Sequence, residues 1–128
     1  SPDYVTRHGT PTSVDDLTRH PCLLYLHNGR LHDRWELGEQ TVQVTGPLFS
    51  DDADVVRRWA VAGEGIAYKT WLDVYADVQA QRLVVLLPEI PGDVYPLSFA
   101  CPHRGQMLRA VTQLYQWLNQ QFSALQRL

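Results

Sequence analysis

Helical and extended patterns alternate between Ser50 and Leu87, and this alternation restricts the fold more than any other feature of the chain. SDDADVVRRWAVA carries apolar residues at helical spacing, and GIAY (residues 65–68) is a short apolar run of strand type. A second helical segment, TWLDVYADVQAQ, leads into RLVVLLP (residues 82–88), which predicts a strand covered on both faces. Strands that alternate with helices form parallel sheets through right-handed crossovers. We therefore predict an α/β fold with a mixed, mostly parallel sheet flanked by helices.

Capping residues set the ends of the two helices. Ser50 or Asp51 can accept hydrogen bonds from the first free amides of the first helix, and Gly63 or Gly65 ends it. Thr70, with an aspartate three residues later, caps the second helix.

Two short helices are predicted at the start of the chain. Ser1 and Pro2 are typical of a helix start, which predicts a helix over residues 1–8. A second helix is predicted over residues 12–20, because Ser13 is followed by an aspartate three positions later, in the manner of a capping box.

An antiparallel element follows these helices. Residues 21–27 form an apolar run of strand length, and residues 41–45 alternate β-branched and polar side chains. Asn28 and Gly29 are a turn signal between them, so residues 21–45 predict an antiparallel element or an irregular hairpin.

The end of the chain predicts a strand, PLSFACP (residues 96–102), and a long helix over residues 106–125. The helix carries an apolar stripe at helical spacing, formed by Met107, Leu108, Val111, Leu114, Tyr115, Leu118, Phe122 and Leu125.

Length, charge and cysteine content restrict the function. The 128 residues suit one domain or a piece of a larger one, and the net charge of −3 argues against a nucleic-acid-binding surface on these residues. No apolar stretch approaches the ~20 residues that span a membrane, so we expect no membrane partner. Cys22 and Cys101 lie in no paired motif, so we interpret them as reduced thiols of a cytoplasmic protein.

No catalytic or metal-binding constellation is predicted. Cys101 lies two residues before His103, but Pro102 breaks the strand geometry between them and no oxyanion motif accompanies the pair. The glycines of GEG follow a helix, whereas a phosphate loop must precede one. Potential metal ligands cluster in sequence at spacings that match no compact zinc motif, namely His20, Cys22, His27, His32 and Asp33. We therefore predict no enzyme, no metal and no cofactor.

The order of the motifs resembles the effector-binding region of LysR-type transcriptional regulators. The motifs are SPDYVTRHGTP, SVDDLTRHPCL, VQVTGPLFSDDADVV, AVAGEGIAY, RLVVLLPE and LSFACPHR, followed by the last helix, and they cover essentially the whole chain. The resemblance implies a fold similar to type 2 periplasmic binding proteins. Residues 1–96 would be the second subdomain, and residues 97–128 the return hinge strand and C-terminal helix of an otherwise absent first subdomain.

The resemblance also implies a function. A small-molecule effector would bind in the cleft between two subdomains of a homo-oligomer, and DNA would be bound only through an N-terminal helix-turn-helix that this fragment lacks. Residues carried over as effector contacts lie at the start of the acidic helix, in the loop around GIAY and at the hinge: Phe49, Ser50, Asp51, Ile66, Ala67, Tyr68, Ser1 and Pro2.

Three aspartates at the start of that helix, Asp51, Asp52 and Asp54, would repel an anion. A neutral effector, an amine, and an anion held mainly by the absent subdomain are all compatible with this. Two other functions were weighed, a solute-binding module of a transport system and a small α/β enzyme. A signal peptide upstream would indicate the first of these, and an upstream sequence with neither a signal peptide nor a helix-turn-helix would indicate the second. The enzyme is disfavoured because no residue set forms a nucleophile, a base and an oxyanion donor.

Overall fold

A computed structural model of the chain describes residues 1–100 and 109–125. It divides into two compact units, Ser1–Asp93 and Val94–Leu128. Among the described residues, no helix is both long enough and apolar enough to cross a bilayer.

The first unit begins with the predicted helix, α1 (Pro2–His8), whose first turn is capped by the Ser1 hydroxyl accepting from the Tyr4 amide. The second predicted helix, over residues 12–20, is wrong in type, because a 3-10 helix spans only Asp15–Arg19. Its capping box is present nevertheless: Ser13 and Asp16 each accept from the other's amide, at 3.3 and 3.1 Å. Pro21 forces the preceding residue out of helical geometry, so only a short turn fits there.

A four-stranded sheet is centred on β1 (Cys22–His27). An antiparallel neighbour, β2 (Arg30–His32), follows the predicted turn, where Asn28 and Gly29 take positive φ values of 49° and 74°. Two further neighbours, β5 (Leu48–Ser50) and β6 (Ile66–Ala67), pair with β1 in parallel. The predicted mixed, mostly parallel sheet is therefore confirmed.

A separate antiparallel pair, β3 (Arg34–Leu37) and β4 (Gln40–Gln43), occupies the middle of the predicted antiparallel element. The predicted strand over 41–45 overlaps β4 and ends later than it. After β4 the chain passes so close to β1 that a Cβ on Gly46 would lie 1.7 Å from the Cys22 carbonyl oxygen. Only glycine fits at this crossing.

Two helices complete the first unit, α2 (Ala53–Ala62) and α3 (Trp71–Gln79). The prediction that Ser50 or Asp51 caps α2 is wrong, because Asp52 is the cap, while Gly63 ends the helix at a φ of 81° as predicted. Thr70 precedes α3 as predicted, although its side chain makes no capping hydrogen bond.

Two apolar clusters hold these elements together. The larger lies between α1, the 3-10 helix and both sheets, and the smaller packs α2 on β1. Trp35, only 2% exposed, belongs to the larger cluster, and Val56 and Ala60 belong to the smaller. Burying α2 against β1 fixes the direction in which the helix leaves β5.

The predicted strand over residues 82–88 is wrong. Gln81 and Leu87 take positive φ values of 57° and 52°, which an extended strand does not allow, and Val84 and Val85 are 43% and 51% exposed. The segment has no regular secondary structure, and Leu83, Leu86 and Leu87 pack on the two apolar clusters. A continuous apolar run does not by itself distinguish a strand from a segment that covers a core.

In the second unit, the predicted strand over 96–102 is wrong for residues 96–100, which pair with no strand among the described residues. Residues 101 and 102 lie outside the described part. A helix, α4 (Arg109–Leu125), confirms most of the predicted helix over 106–125. Its stripe is exposed at Leu114 and Tyr115, at 48% and 45%, while Met107 and Leu108 lie outside the described residues. The division of the chain at residue 96 into parts of two subdomains stays a prediction.

Candidate functional site

Two parallel strands end at one edge of the main sheet, and each leads into a helix there. β5 ends at Ser50 and continues into α2, while β6 ends at Ala67 and continues into α3. The carboxyl edge of parallel strands is where open α/β sheets bind ligands. Phe49 is 55% exposed near this edge, so its ring is available for contact.

Lys69 joins the two connections at this edge. Its side chain is only 10% exposed, its Nζ donates to the Ala53 carbonyl oxygen at 3.1 Å, and it pairs with Asp73 at 2.9 Å. The lysine therefore fixes the start of α3 beside the start of α2. Sequence reasoning missed this residue, because a single lysine before a helix is an ordinary pattern.

Most amides at the start of α2 are already bonded within the chain. The Asp52 carboxylate accepts from the Asp54 and Val55 amides at 2.8 and 3.4 Å, and the Ser50 hydroxyl accepts from the Asp52 amide at 3.1 Å. Few amides therefore remain free at the start of α2 to bind a polar ligand. Asp51 is exposed and makes no hydrogen bond or ion pair with the described residues.

The acidic cluster is partly neutralised. Asp54 pairs with Arg57 at 2.8 Å and with Arg58 at 2.7 Å, as the helical spacing predicts for Arg58. The hydrogen bond from Arg57 holds the pKa of Asp54 below its ordinary value. The charge that an incoming ligand meets is therefore mainly that of Asp51 and Asp52.

Asp77 on α3 is a buried carboxylate, 2% exposed, which the sequence did not single out. Arg57 donates to one of its oxygens at 2.5 Å, and Arg82 pairs with the other at 2.7 Å. Burial acts to raise the pKa of Asp77, but the two arginine hydrogen bonds outweigh it and hold the pKa below its ordinary value. Together these contacts fix α2, α3 and the segment after α3 to one another.

A largely apolar cavity of about 260 Å³ lies beside β6. Four predicted site residues line it, Ser1, Ile66, Ala67 and Tyr68. The remaining lining comes mainly from the inner face of α3 and from the segment after it, for example Val74, Val78, Leu83, Val84, Leu86 and Leu87. The other four predicted residues, Pro2, Phe49, Ser50 and Asp51, do not line this cavity.

The hydroxyl of Tyr68 is used within the fold. It donates to the Glu36 carbonyl oxygen at 3.0 Å and accepts from the Asp93 amide at 2.7 Å, and its ring lies 5.5 Å from that of Trp35. Burial raises the pKa of this hydroxyl. Tyr68 therefore ties the end of β6 to the β3–β4 hairpin.

The predicted residues fall into separate groups around α2. The amino group of Ser1 donates to the Ala60 carbonyl oxygen at 3.3 Å, near the end of α2, and Arg7 donates to Gly63 just beyond it. Phe49 precedes the start of the helix. Ten helical residues span about 15 Å, so Ser1 and Phe49 lie at opposite ends of α2.

The candidate metal and thiol residues have internal roles. His20 Nδ1 lies 2.8 Å from the Tyr4 hydroxyl, and burial raises the pKa of the Cys22 thiol to about 12. Among the described residues, no group of three or more His, Cys, Asp or Glu side chains could hold a metal ion. Cys101 and His103 lie outside the described residues.

Parallel strands whose carboxyl ends meet at one edge, flanked by helices, form an α/β domain. Its likeness to solved LysR regulatory domains places it in the type 2 periplasmic-binding-protein class. The sequence profile of the LysR substrate binding domain matches residues 1–123. The chain belongs to this family.

Relatives agree with this assignment. The HTH-type transcriptional regulator DmlR of Escherichia coli (strain K12) is 36% identical over 101 residues, which cover 74% of this chain and 33% of that protein. The HTH-type transcriptional activator TtdR of the same strain is 34% identical over 70% of this chain and 30% of its own length. The chain thus spans about a third of the length of the curated relatives it matches.

Solved structures show the same fold. CrgA, a LysR-type transcriptional regulator from Neisseria meningitidis, matches with a TM-score of 0.65 at 25% identity, over 73% of this chain and 33% of that one. The regulatory domain of AphB in Vibrio vulnificus matches with a TM-score of 0.64 at 26% identity, over 73% of this chain and 48% of that one.

Proposed function

We propose that the chain is the effector-sensing part of a cytoplasmic LysR-type transcriptional regulator. In the longer protein, a small molecule binds against this domain and controls DNA binding by an N-terminal helix-turn-helix within a homo-oligomer. The observation that carries the proposal is the family match over residues 1–123, and the curated relatives are named as transcriptional regulators. The domain senses and does no catalysis.

The effector contacts the carboxyl edge of the sheet. We assign direct contact to Phe49, Ser50 and Asp51, because they stand at the exposed end of β5. A second group, Ser1, Ile66, Ala67 and Tyr68, borders the site through the apolar cavity, and Pro2 follows Ser1 outside the cavity lining. Effector binding must favour one arrangement of the oligomer if it is to change DNA binding.

The charge at this edge favours an effector that is neutral or carries an amine. Asp52 occupies the amides that could hold an anion, Asp51 carries a free negative charge, and Lys69 is already paired with Asp73. A carboxylate effector would therefore depend on cations from another part of the regulator.

Thermal-shift measurements on the intact regulator test the site. Amines, neutral polyols and carboxylates are screened separately, and a compound at a hundred times its Kd stabilises the folded protein by about 2.7 kcal/mol. We expect Asp51→Asn to reduce the shift caused by an amine and to leave Tm without ligand unchanged. Asp15→Asn, at another exposed acidic position, is the matched control.

A second pair of variants tests the apolar contact. Phe49→Ala removes an exposed ring at the site, and Leu31→Ala removes an exposed apolar side chain, 42% exposed, from β2. We expect only the first to weaken binding of the compound found in the screen. The assignment would be refuted if each site variant bound that compound as its control does, that is, Asp51→Asn like Asp15→Asn and Phe49→Ala like Leu31→Ala. It would also be refuted if the compound did not change the affinity of the intact regulator for its promoter.

A further inference from the structure

The exit segment, residues 88–93, is fastened to the turn of the β3–β4 hairpin. The Gly38 amide in that turn donates to the Pro91 carbonyl oxygen at 2.6 Å. Leu37, at the end of β3, forms an antiparallel bridge with Gly92. Asp93 is the last residue of the first unit, so the exit segment is the part of the chain that leaves this unit.

The hydroxyl of Tyr68 joins the exit segment to the hairpin at a further point. It accepts from the Asp93 amide at 2.7 Å and donates its only proton to the Glu36 carbonyl oxygen at 3.0 Å. Both roles of the hydroxyl, donor and acceptor, are therefore used. Phenylalanine at this position would keep the ring and remove both hydrogen bonds.

The ring of Tyr68 is enclosed as well. Its centroid lies 6.1 Å from that of His32, with 11° between the two planes, and 5.5 Å from that of Trp35. Trp35 is buried, and its Nε1 donates to the His32 carbonyl oxygen at 3.1 Å. A Cβ on Gly92 would lie 2.7 Å from the Tyr68 hydroxyl oxygen and 3.1 Å from Cε2, so the exit segment packs directly on this side chain. In such close packing, the ring moves only if the hairpin or the exit segment moves with it.

We propose that Tyr68 is a positioning residue that transmits effector binding from the carboxyl end of β6 to the exit segment. This role rests on the proposed function, in which the effector borders Ala67 and Tyr68. Tyr68 directly follows β6 and bonds to Asp93, so one side chain spans both regions. Val94 is covalently bonded to Asp93, so a displacement of Tyr68 shifts the point from which the chain continues. The effector must favour one position of Tyr68 over the other for this to occur.

Amide hydrogen exchange of the 128-residue chain, followed by NMR, tests the anchor without an effector. In Tyr68→Phe we expect the Asp93 amide to exchange roughly tenfold faster, because it loses this acceptor, and the Gly38 amide to exchange faster as well. Tyr4→Phe is the matched control: it removes a hydroxyl that lies 2.8 Å from His20 and should leave both rates unchanged. Unchanged protection of Asp93 in Tyr68→Phe overturns the proposal, and so does an equal rise across the amides of β1, which would indicate general destabilisation.

Promoter binding by the intact regulator tests the transmission. The probe is the compound with the largest thermal shift among the amines, polyols and carboxylates. Without DNA, Tyr68→Phe should bind it about as tightly as the wild type, whereas the change that it causes in promoter affinity should fall at least about fivefold. Equal promoter responses of Tyr68→Phe and the wild type refute transmission through Tyr68 and leave sensing intact. A wild-type regulator that responds to no compound refutes the proposed function, and this role with it.

Discussion

Replacing Asp77 by asparagine should destabilise the first unit strongly. The carboxylate is 2% exposed and pairs with Arg57 and Arg82, so the variant removes one charge and leaves two cations facing an amide. Breaking a buried pair from one side costs about 3–5 kcal/mol. The side chains of Arg57 and Arg82 are 29% and 53% exposed, so water solvates their unpaired charges in part and lowers this cost. We therefore expect the free energy of unfolding to fall by about 2–3 kcal/mol.

Urea unfolding followed by circular dichroism measures this loss, and a thermal melt should show Tm lower by about 10 °C or more for a unit of this size. Asp73→Asn is the matched control, because its carboxylate is 45% exposed and pairs with Lys69 on the surface of α3. The control should change stability by less than about 0.5 kcal/mol. A similar small effect of Asp77→Asn would refute the reasoning.

The effect of Asp77 should also depend on pH. Because the folded-state pKa of Asp77 is depressed, its contribution is complete above the unfolded pKa of about 3.9 and is lost as pH falls through the folded value. The difference in stability between the wild type and Asp77→Asn should therefore be constant near neutral pH and shrink below about pH 4. A difference that is unchanged in acid would exclude the carboxylate as its source.

Three further outcomes follow from local geometry. Asp52→Ala should lower the free energy of unfolding by about 1 kcal/mol, and Asp51→Ala should not change it measurably, because only Asp52 caps α2. Gly46→Ala should prevent folding or lower Tm severely, since its Cβ would lie 1.7 Å from the Cys22 carbonyl oxygen. In a Cys101→Ser background, a thiol reagent at pH 8 should label Cys22 only after denaturant is added, and rapid labelling of the folded chain would contradict the burial that raises the pKa of its thiol to about 12.

Turns and helix starts were predicted correctly where the hydrogen-bond donor and acceptor lie in the same short stretch of sequence. The Asn28-Gly29 turn and the capping box of Ser13 with Asp16 both appear as predicted, because donor and acceptor lie within a few residues. The helices α1, α2 and α3 were predicted for the same reason. Pro21 shortened the second predicted helix, a local effect that the capping signal at its start does not reveal.

Errors arose where a distant partner decides the structure. The run RLVVLLP has the composition of a buried strand, yet no described strand pairs with it and Arg82 is held by Asp77 instead. The roles of Lys69 and Asp77 were not predicted, since each depends on a contact with another helix or loop.

The sequence by itself determined the α/β class, most helices and the turn signals, because periodicity and capping are properties of neighbouring residues. The family followed from the resemblance of the ordered motifs to LysR-type regulators, which the match over residues 1–123 bears out. Tertiary structure alone decided that Ser1 and Phe49 lie at opposite ends of α2. It also decided that the Tyr68 hydroxyl forms hydrogen bonds with the Glu36 carbonyl oxygen and the Asp93 amide. Those placements depend on how β5, β6 and α2 pack around β1, and packing joins residues that the sequence keeps far apart.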